Sequence, residues 1–154
     1  MSAVSYELDG RVGILTLNRP DSLNAVNPDM VAGLLAASAR VADDPAARAV
    51  VVRGAGKSFM AGGDLRWFRE QLALPVAQRQ SGFAELIAGV HAAIANFKRM
   101  DKPVIAAVQG AVAGFGLSGR RSCAGAVPAR VLLVRPLYLA RPYGYLFGLP
   151  GLHP

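Results

Sequence analysis

Val104-Ile105-Ala106-Ala107-Val108 runs without a break into Gln109-Gly110-Ala111-Val112-Ala113-Gly114-Phe115-Gly116. A short continuous apolar run reads as a strand buried on both faces. The glycines behind it read as a loop whose backbone can come close to another group. The same order occurs earlier in the chain. Ala49-Val50-Val51-Val52 is followed by a glycine-rich loop, Gly54 to Gly63, whose second half is Ser58-Phe59-Met60-Ala61-Gly62-Gly63-Asp64-Leu65. Two buried strands, each feeding a glycine loop, set the frame for everything around them.

Outward from these strands the pattern alternates. Asn27-Pro28-Asp29 has an N-cap residue, a proline at the first helical position and an acid in the first turn. Met30, Val31, Leu34, Leu35 and Val41 follow at mostly helical spacing up to Asp43-Asp44-Pro45. Leu65 to Leu72 reads as a helix stopped by Pro75. Phe83, Leu86, Ile87, Val90, Ile94 and Phe97 mark a long amphipathic helix that ends at Lys102-Pro103. Near the N-terminus, Ala3 to Leu8 and Arg11 to Leu17 are strand-like, and Asp9-Gly10 between them predicts a hairpin. Strands alternating with helices predict an α/β layer structure.

The chain has 154 residues, 53% of them apolar and 18% charged. That balance fits one folded domain and excludes an intrinsically disordered chain. No apolar run reaches the roughly 18 residues that span a bilayer; Val104 to Ser118 is too short and contains Gln109. Residues 1–10 have neither a basic start nor an apolar core, and the single cysteine, Cys123, has no internal disulfide partner. The expected location is cytoplasmic.

Charge is uneven. Residues 1–118 hold 12 Lys and Arg against 10 Asp and Glu, whereas residues 119–154 hold five Arg and no acid. A basic tail can bind nucleic acid or an anionic membrane. Here the arginines are scattered among Leu, Pro and Gly rather than mixed with Lys on a periodic face, so no nucleic-acid or membrane partner is expected.

The glycine loops leave two readings open. They are tight turns, or their backbone N–H groups converge on a carbonyl oxygen and stabilise developing negative charge. Phosphate and dinucleotide loops are excluded. No Gly-Lys-Ser/Thr follows at the required spacing, and Gly110, Gly114 and Gly116 are spaced wrongly for the dinucleotide fingerprint.

Five stretches, in this order, resemble the enoyl-CoA hydratase/isomerase (crotonase) superfamily over residues 4–118. They are Val12-Gly13-Ile14-Leu15-Thr16-Leu17-Asn18-Arg19-Pro20, then Leu23-Asn24-Ala25, then Ala49-Val50-Val51-Val52-Arg53-Gly54, then Phe59-Met60-Ala61-Gly62-Gly63-Asp64-Leu65. The last is Lys102-Pro103-Val104-Ile105-Ala106-Ala107-Val108-Gln109-Gly110 with Ala113-Gly114-Phe115-Gly116-Leu117-Ser118. The resemblance implies a ββα spiral fold, incomplete at the C-terminus, that binds acyl-CoA thioesters. It implies two thioester-oxygen donors, the backbone N–H groups of Gly63 and Phe115, and a substrate-binding lining of Ala61, Gly62, Asp64, Leu65 and Gly114. Lys57 is placed where it could meet a CoA phosphate. The implied chemistry is hydration or isomerisation (a lyase or an isomerase) in fatty-acid or related acyl-CoA metabolism. No metal and no cofactor beyond the substrate's own CoA is implied. Family members are usually trimers or hexamers.

Departures from the family pattern matter as much. Hydratases carry a glutamate where this chain has Ser118, and a serine hydroxyl is too weakly acidic to replace a carboxylate as general base. His91 lies at the edge of the apolar face of the long helix, where some relatives place a catalytic histidine; the plain reading is a helix-surface residue. Asp64 and Glu70 are acids near the first loop, and Asp64 is read as ordering that loop. His153, in the tail, receives no role. Beyond Ser118 the expected acid-containing segment is replaced by Arg, Pro, Gly, Ala and Leu, the composition of a GC-rich gene read out of frame. The domain reading is therefore an acyl-CoA-binding unit over 1–118 and an atypical basic tail over 119–154, without the family's next strand-and-helix pattern. The function classes are an acyl-CoA enzyme, an impaired remnant that binds acyl-CoA at most, and a basic binder acting through the tail.

Overall fold

A hairpin opens the fold. In the computed structural model, which describes residues 2–114 and the strand Gly125–Pro128, β1 (Val4–Asp9) pairs antiparallel with β2 (Val12–Leu17), and Asp9 faces Val12. The loop residues are therefore Gly10 and Arg11, not Asp9-Gly10. Only Gly10 has a positive φ, at 58°. That is the glycine-requiring first position of a two-residue hairpin turn, and it leaves Asp9 free to extend the strand.

Helix α1 (Pro28–Asp43) begins as its sequence predicts. The Asn27 side chain accepts a hydrogen bond from the Met30 N–H at 2.9 Å, and Pro28 occupies the first turn. Its buried side chains include Met30, Val31, Leu34 and Val41. Strand β3 (Ala49–Gly54) follows, parallel to β2. Then come α2 (Leu65–Leu72), α3 (Val76–Arg99) and β4 (Val104–Val108), which lies parallel to β3. Pro75 ends one helical segment and stands as the N-cap of the next, so α3 starts earlier than its apolar periodicity indicates.

Register explains the core. Leu15 pairs with Val52 and Val52 with Ala106, so these buried residues line one face of the sheet. Leu17, Val50 and Val104 are buried too, and all of them join one cluster with Met30, Val31, Leu34 and Val41 of α1 and Leu86 and Ala93 of α3. The expectation that β3 and β4 are buried on both faces is corrected. Val51 and Ile105, on the opposite face, are only half-buried.

The strand order among the described residues is β1-β2-β3-β4-β5, a mixed sheet in an α/β structure. Strand β5 (Gly125–Pro128) adds parallel to β4, with Ile105 facing Gly125 and Val108 facing Pro128. The strand half of the strand-and-helix pattern expected to be missing after Ser118 is therefore present, and residues 129–154 lie outside the described residues; the open edge of β4 offers a row of unpaired backbone groups that a short apolar segment can satisfy. Both glycine loops leave the carboxyl ends of parallel strands, where ligands bind in open α/β sheets. Among the described residues, no helix is long and apolar enough to cross a membrane.

Candidate functional site

The two glycine loops are zipped together. The Phe59 N–H donates to the Gln109 carbonyl at 2.7 Å, Met60 N–H to Ala111 at 3.2 Å, and Ala113 N–H to Met60 at 3.0 Å. On its other side the first loop is tied to the segment after β2. Ala61 N–H donates to the Leu23 carbonyl at 3.1 Å, Val26 N–H to Gly62 at 2.7 Å, and Asp64 N–H to Val26 at 2.9 Å.

This second set fixes the Gly63 amide. Val26 and Gly63 form a parallel bridge that uses the Gly62 carbonyl and the Asp64 N–H. Backbone groups alternate sides along an extended segment, so the Gly63 N–H points away from Val26. Among the described residues it has no hydrogen-bond acceptor. Gly62 sits at φ 95°, a conformation costly for any residue with a Cβ. Gly114, at φ 50°, closes on it: a Cβ on Gly114 would lie 3.4 Å from the Gly62 Cα. Glycine is thus required where the loops meet. Gly63 needs it for another reason. A Cβ there would collide with the ring of Phe68. That ring belongs to an edge-to-face trio with Trp67 and Phe83, with centroids 5.2–5.7 Å apart.

Asp64 follows Gly63 and is fully engaged. Its side chain caps α2 by accepting from Arg66 N–H at 3.0 Å and Trp67 N–H at 3.3 Å, and it pairs with the Arg19 guanidinium at 2.8 Å. Burial alone would raise its pKa. The Arg19 guanidinium and the two helix N–H groups outweigh that and hold the carboxyl below the usual carboxylate value. Arg19 also donates to the Ala25 carbonyl at 2.7 Å, and its N–H donates to the Asn24 side chain at 2.8 Å. Asn24 is wholly buried, and its amide donates to the carbonyls of Ala55 at 2.9 Å and Ser58 at 2.8 Å. Leu23 and Asn24 both take positive φ, at 51° and 54°. Arg19, Leu23 and Asn24 support the loop, yet sequence reading gave them no role beyond family pattern. The signal available was an asparagine, a residue that tolerates left-handed backbone, next to a sharp break after Pro20.

The structure therefore brings Ala61, Gly62, Gly63, Asp64 and Gly114 together. Leu65 stands beside them at the start of α2, 79% exposed. Phe115 and Ser118 lie outside the described residues, as do Cys123 and His153. Lys57 is exposed in the same loop, Glu70 is exposed on α2, and His91 is exposed on α3, which supports its reading as a surface residue.

The family profile described as Enoyl-CoA hydratase/isomerase matches residues 12–124. The chain belongs to the enoyl-CoA hydratase/isomerase family. A Mycobacterium tuberculosis protein named probable enoyl-CoA hydratase EchA14 is 38% identical over 151 residues, which cover 98% of this chain and 53% of that protein. The short-chain-enoyl-CoA hydratase of Clostridium acetobutylicum is 34% identical over 124 residues, 80% of this chain and 45% of that one. A crystal structure of an enoyl-CoA hydratase/isomerase from Xanthobacter autotrophicus superposes with a TM-score of 0.73 at 30% identity, covering 81% of this chain and 45% of that one. The fold is thus crotonase-like, and the chain spans about half the length of the curated relatives it matches. The family match runs past Ser118 to residue 124, so the expectation that the likeness stops at once after Ser118 is corrected.

Proposed function

We propose that this chain binds an acyl-CoA thioester with the thioester oxygen on the Gly63 N–H and polarises it toward an enolate, the step that hydration and isomerisation share. The observation that carries the reading is the Gly63 amide, held by the Val26 bridge, turned away from it, and without an acceptor among the described residues. A backbone N–H fixed in advance costs no reorganisation when charge develops on the oxygen it faces. Phe115 supplies the second N–H in this reading. Ala61, Gly62, Leu65 and Gly114 line the thioester's path, and Asp64 acts from beneath by holding the loop. The substrates belong to fatty-acid or related acyl-CoA metabolism.

A second reading, acyl-CoA binding without turnover, is favoured by Ser118, because a hydroxyl there supplies no base. One experiment separates the two. The full chain is assayed for hydration of a short enoyl-CoA alongside Gly63→Pro, which lacks the donor, with Gly63→Ala, which keeps the N–H and meets Phe68 in the same way, as the reference for the loss. The enzyme reading expects turnover that falls about 100- to 1,000-fold in Gly63→Pro. Saturable thioester binding with no turnover in the parent chain supports the second reading. Equal turnover in Gly63→Pro and Gly63→Ala refutes the role of Gly63.

A further inference from the structure

We infer that Phe68 is the positioning residue for the Gly63 amide, a role that rests on the proposed thioester reading. Two surfaces confine Gly63. On one side the Val26 bridge fixes the peptide plane through the Gly62 carbonyl and the Asp64 N–H. On the other side the Phe68 ring fills the space a Gly63 side chain would occupy. Phe68 has little freedom of its own. Its N–H donates to the Asp64 carbonyl at 2.9 Å, in the first turn of α2. Its ring meets Trp67 at 5.7 Å and Phe83 of α3 at 5.2 Å, both edge-on. Aromatic pairs in this arrangement favour one relative orientation beyond simple burial. The amide is thereby referred to α3 through the ring, and through Val26 to the segment that leads into α1.

The complementarity is reciprocal. Glycine at 63 makes room for the ring, and the ring replaces the packing a side chain at 63 would give. Gly63 is not in the left-handed region, so its need for glycine comes from Phe68 rather than from φ. The two positions should therefore be coupled as residues in direct contact are.

The test is a double-mutant cycle on the full chain with Gly63→Ala, Phe68→Ala and their combination. Phe68→Leu serves as the milder variant should Phe68→Ala fold poorly. The first readout is hydrogen exchange of the Val26 and Asp64 amides, whose bonds flank Gly63, with Val50 and Val52 in β3 reporting the core. We expect Phe68→Leu and Gly63→Ala each to speed Val26 and Asp64 exchange about tenfold with β3 unchanged. The combination of Gly63→Ala with Phe68→Ala should exchange more slowly than Gly63→Ala alone. Additive effects, or unchanged exchange at Val26 and Asp64 in Phe68→Leu, would overturn the proposal. The second readout is the infrared carbonyl stretch of a carbon-13-labelled butyryl-CoA thioester. A shift to lower frequency on the parent chain that is reduced in Phe68→Leu at saturation supports the positioning role. A shift of equal size in both proteins overturns it. A parent chain that leaves the frequency at its solution value contradicts the thioester reading itself, while the exchange cycle still decides the Phe68–Gly63 coupling.

Discussion

Asp64 shows how one residue can anchor the loop that carries Gly63. Its two oxygens are spent on the α2 cap and on Arg19, so the loop that carries Gly63 is anchored by a carboxylate that must stay ionised. Its pKa is lowered in the fold, so it contributes stability above the ordinary value of 3.8 and loses it as pH falls through the folded value. Asp64→Asn keeps an oxygen that can cap α2, so it is expected to be less stable at pH 7 by about 1–3 kcal/mol, the worth of the charged bond to Arg19. It should also lose less stability than the parent between pH 5 and pH 2. Urea midpoints across that range check both statements, and parallel profiles for the two proteins would refute the assignment. Asp64 was legible as a loop-ordering acid, because a short acid ahead of a helical run signals a cap. Its partner Arg19 was not, since 45 residues separate them and nothing in local spacing links them. Asn24 is similar. Its acceptors at Ala55 and Ser58 lie 31 and 34 residues away.

Helices and strands were legible where a local signal suffices. The Asn27 cap, the α2 span and β4 followed from residues within a few positions of one another. The hairpin loop was misplaced by one residue because both Asp-Gly and Gly-Arg can fill a two-residue turn, and only the cross-strand register decides between them. Lys102 is a different failure. Sequence reading used it only to end a helix, yet its ammonium group donates to the carbonyls of Val41 at 2.6 Å, Ala42 at 2.9 Å and Asp44 at 2.6 Å. It thus satisfies the otherwise unpaired C-terminus of α1 and sits favourably against the helix dipole. Tyr6 fastens the same end by donating to the Asp44 carboxylate; burial and that bond push the tyrosine up to about 12. Lys102→Met keeps most of the apolar stem and deletes all three bonds. We expect it to lower stability by about 2 kcal/mol, with amide exchange accelerated in the last turn of α1 before the rest of the helix. Loss confined to α3 would contradict the role.

The described residues make a half-covered sheet whose two glycine loops meet at one corner. Several large apolar side chains around that corner and along α2 and α3 face solvent, Leu65 at 79%, Leu72 at 63% and Val76 at 57% among them. Exposed apolar surface of this kind favours association. The full chain is therefore expected to bind a hydrophobic dye and to grow in apparent mass with concentration in light scattering; a dye-silent monomer at all concentrations would count against it. The central claim is narrower: a thioester oxygen sits on the Gly63 N–H. The most direct measurement is a titration of the nitrogen-15-glycine-labelled full chain with butyryl-CoA, following the Gly63 amide by NMR, with Gly63→Pro fixing its assignment. The account predicts saturable binding in which the Gly63 amide proton moves strongly downfield while the glycine of the N-terminal hairpin, Gly10, stays in place. Saturable binding that leaves Gly63 unmoved, or no binding at millimolar thioester, would contradict it.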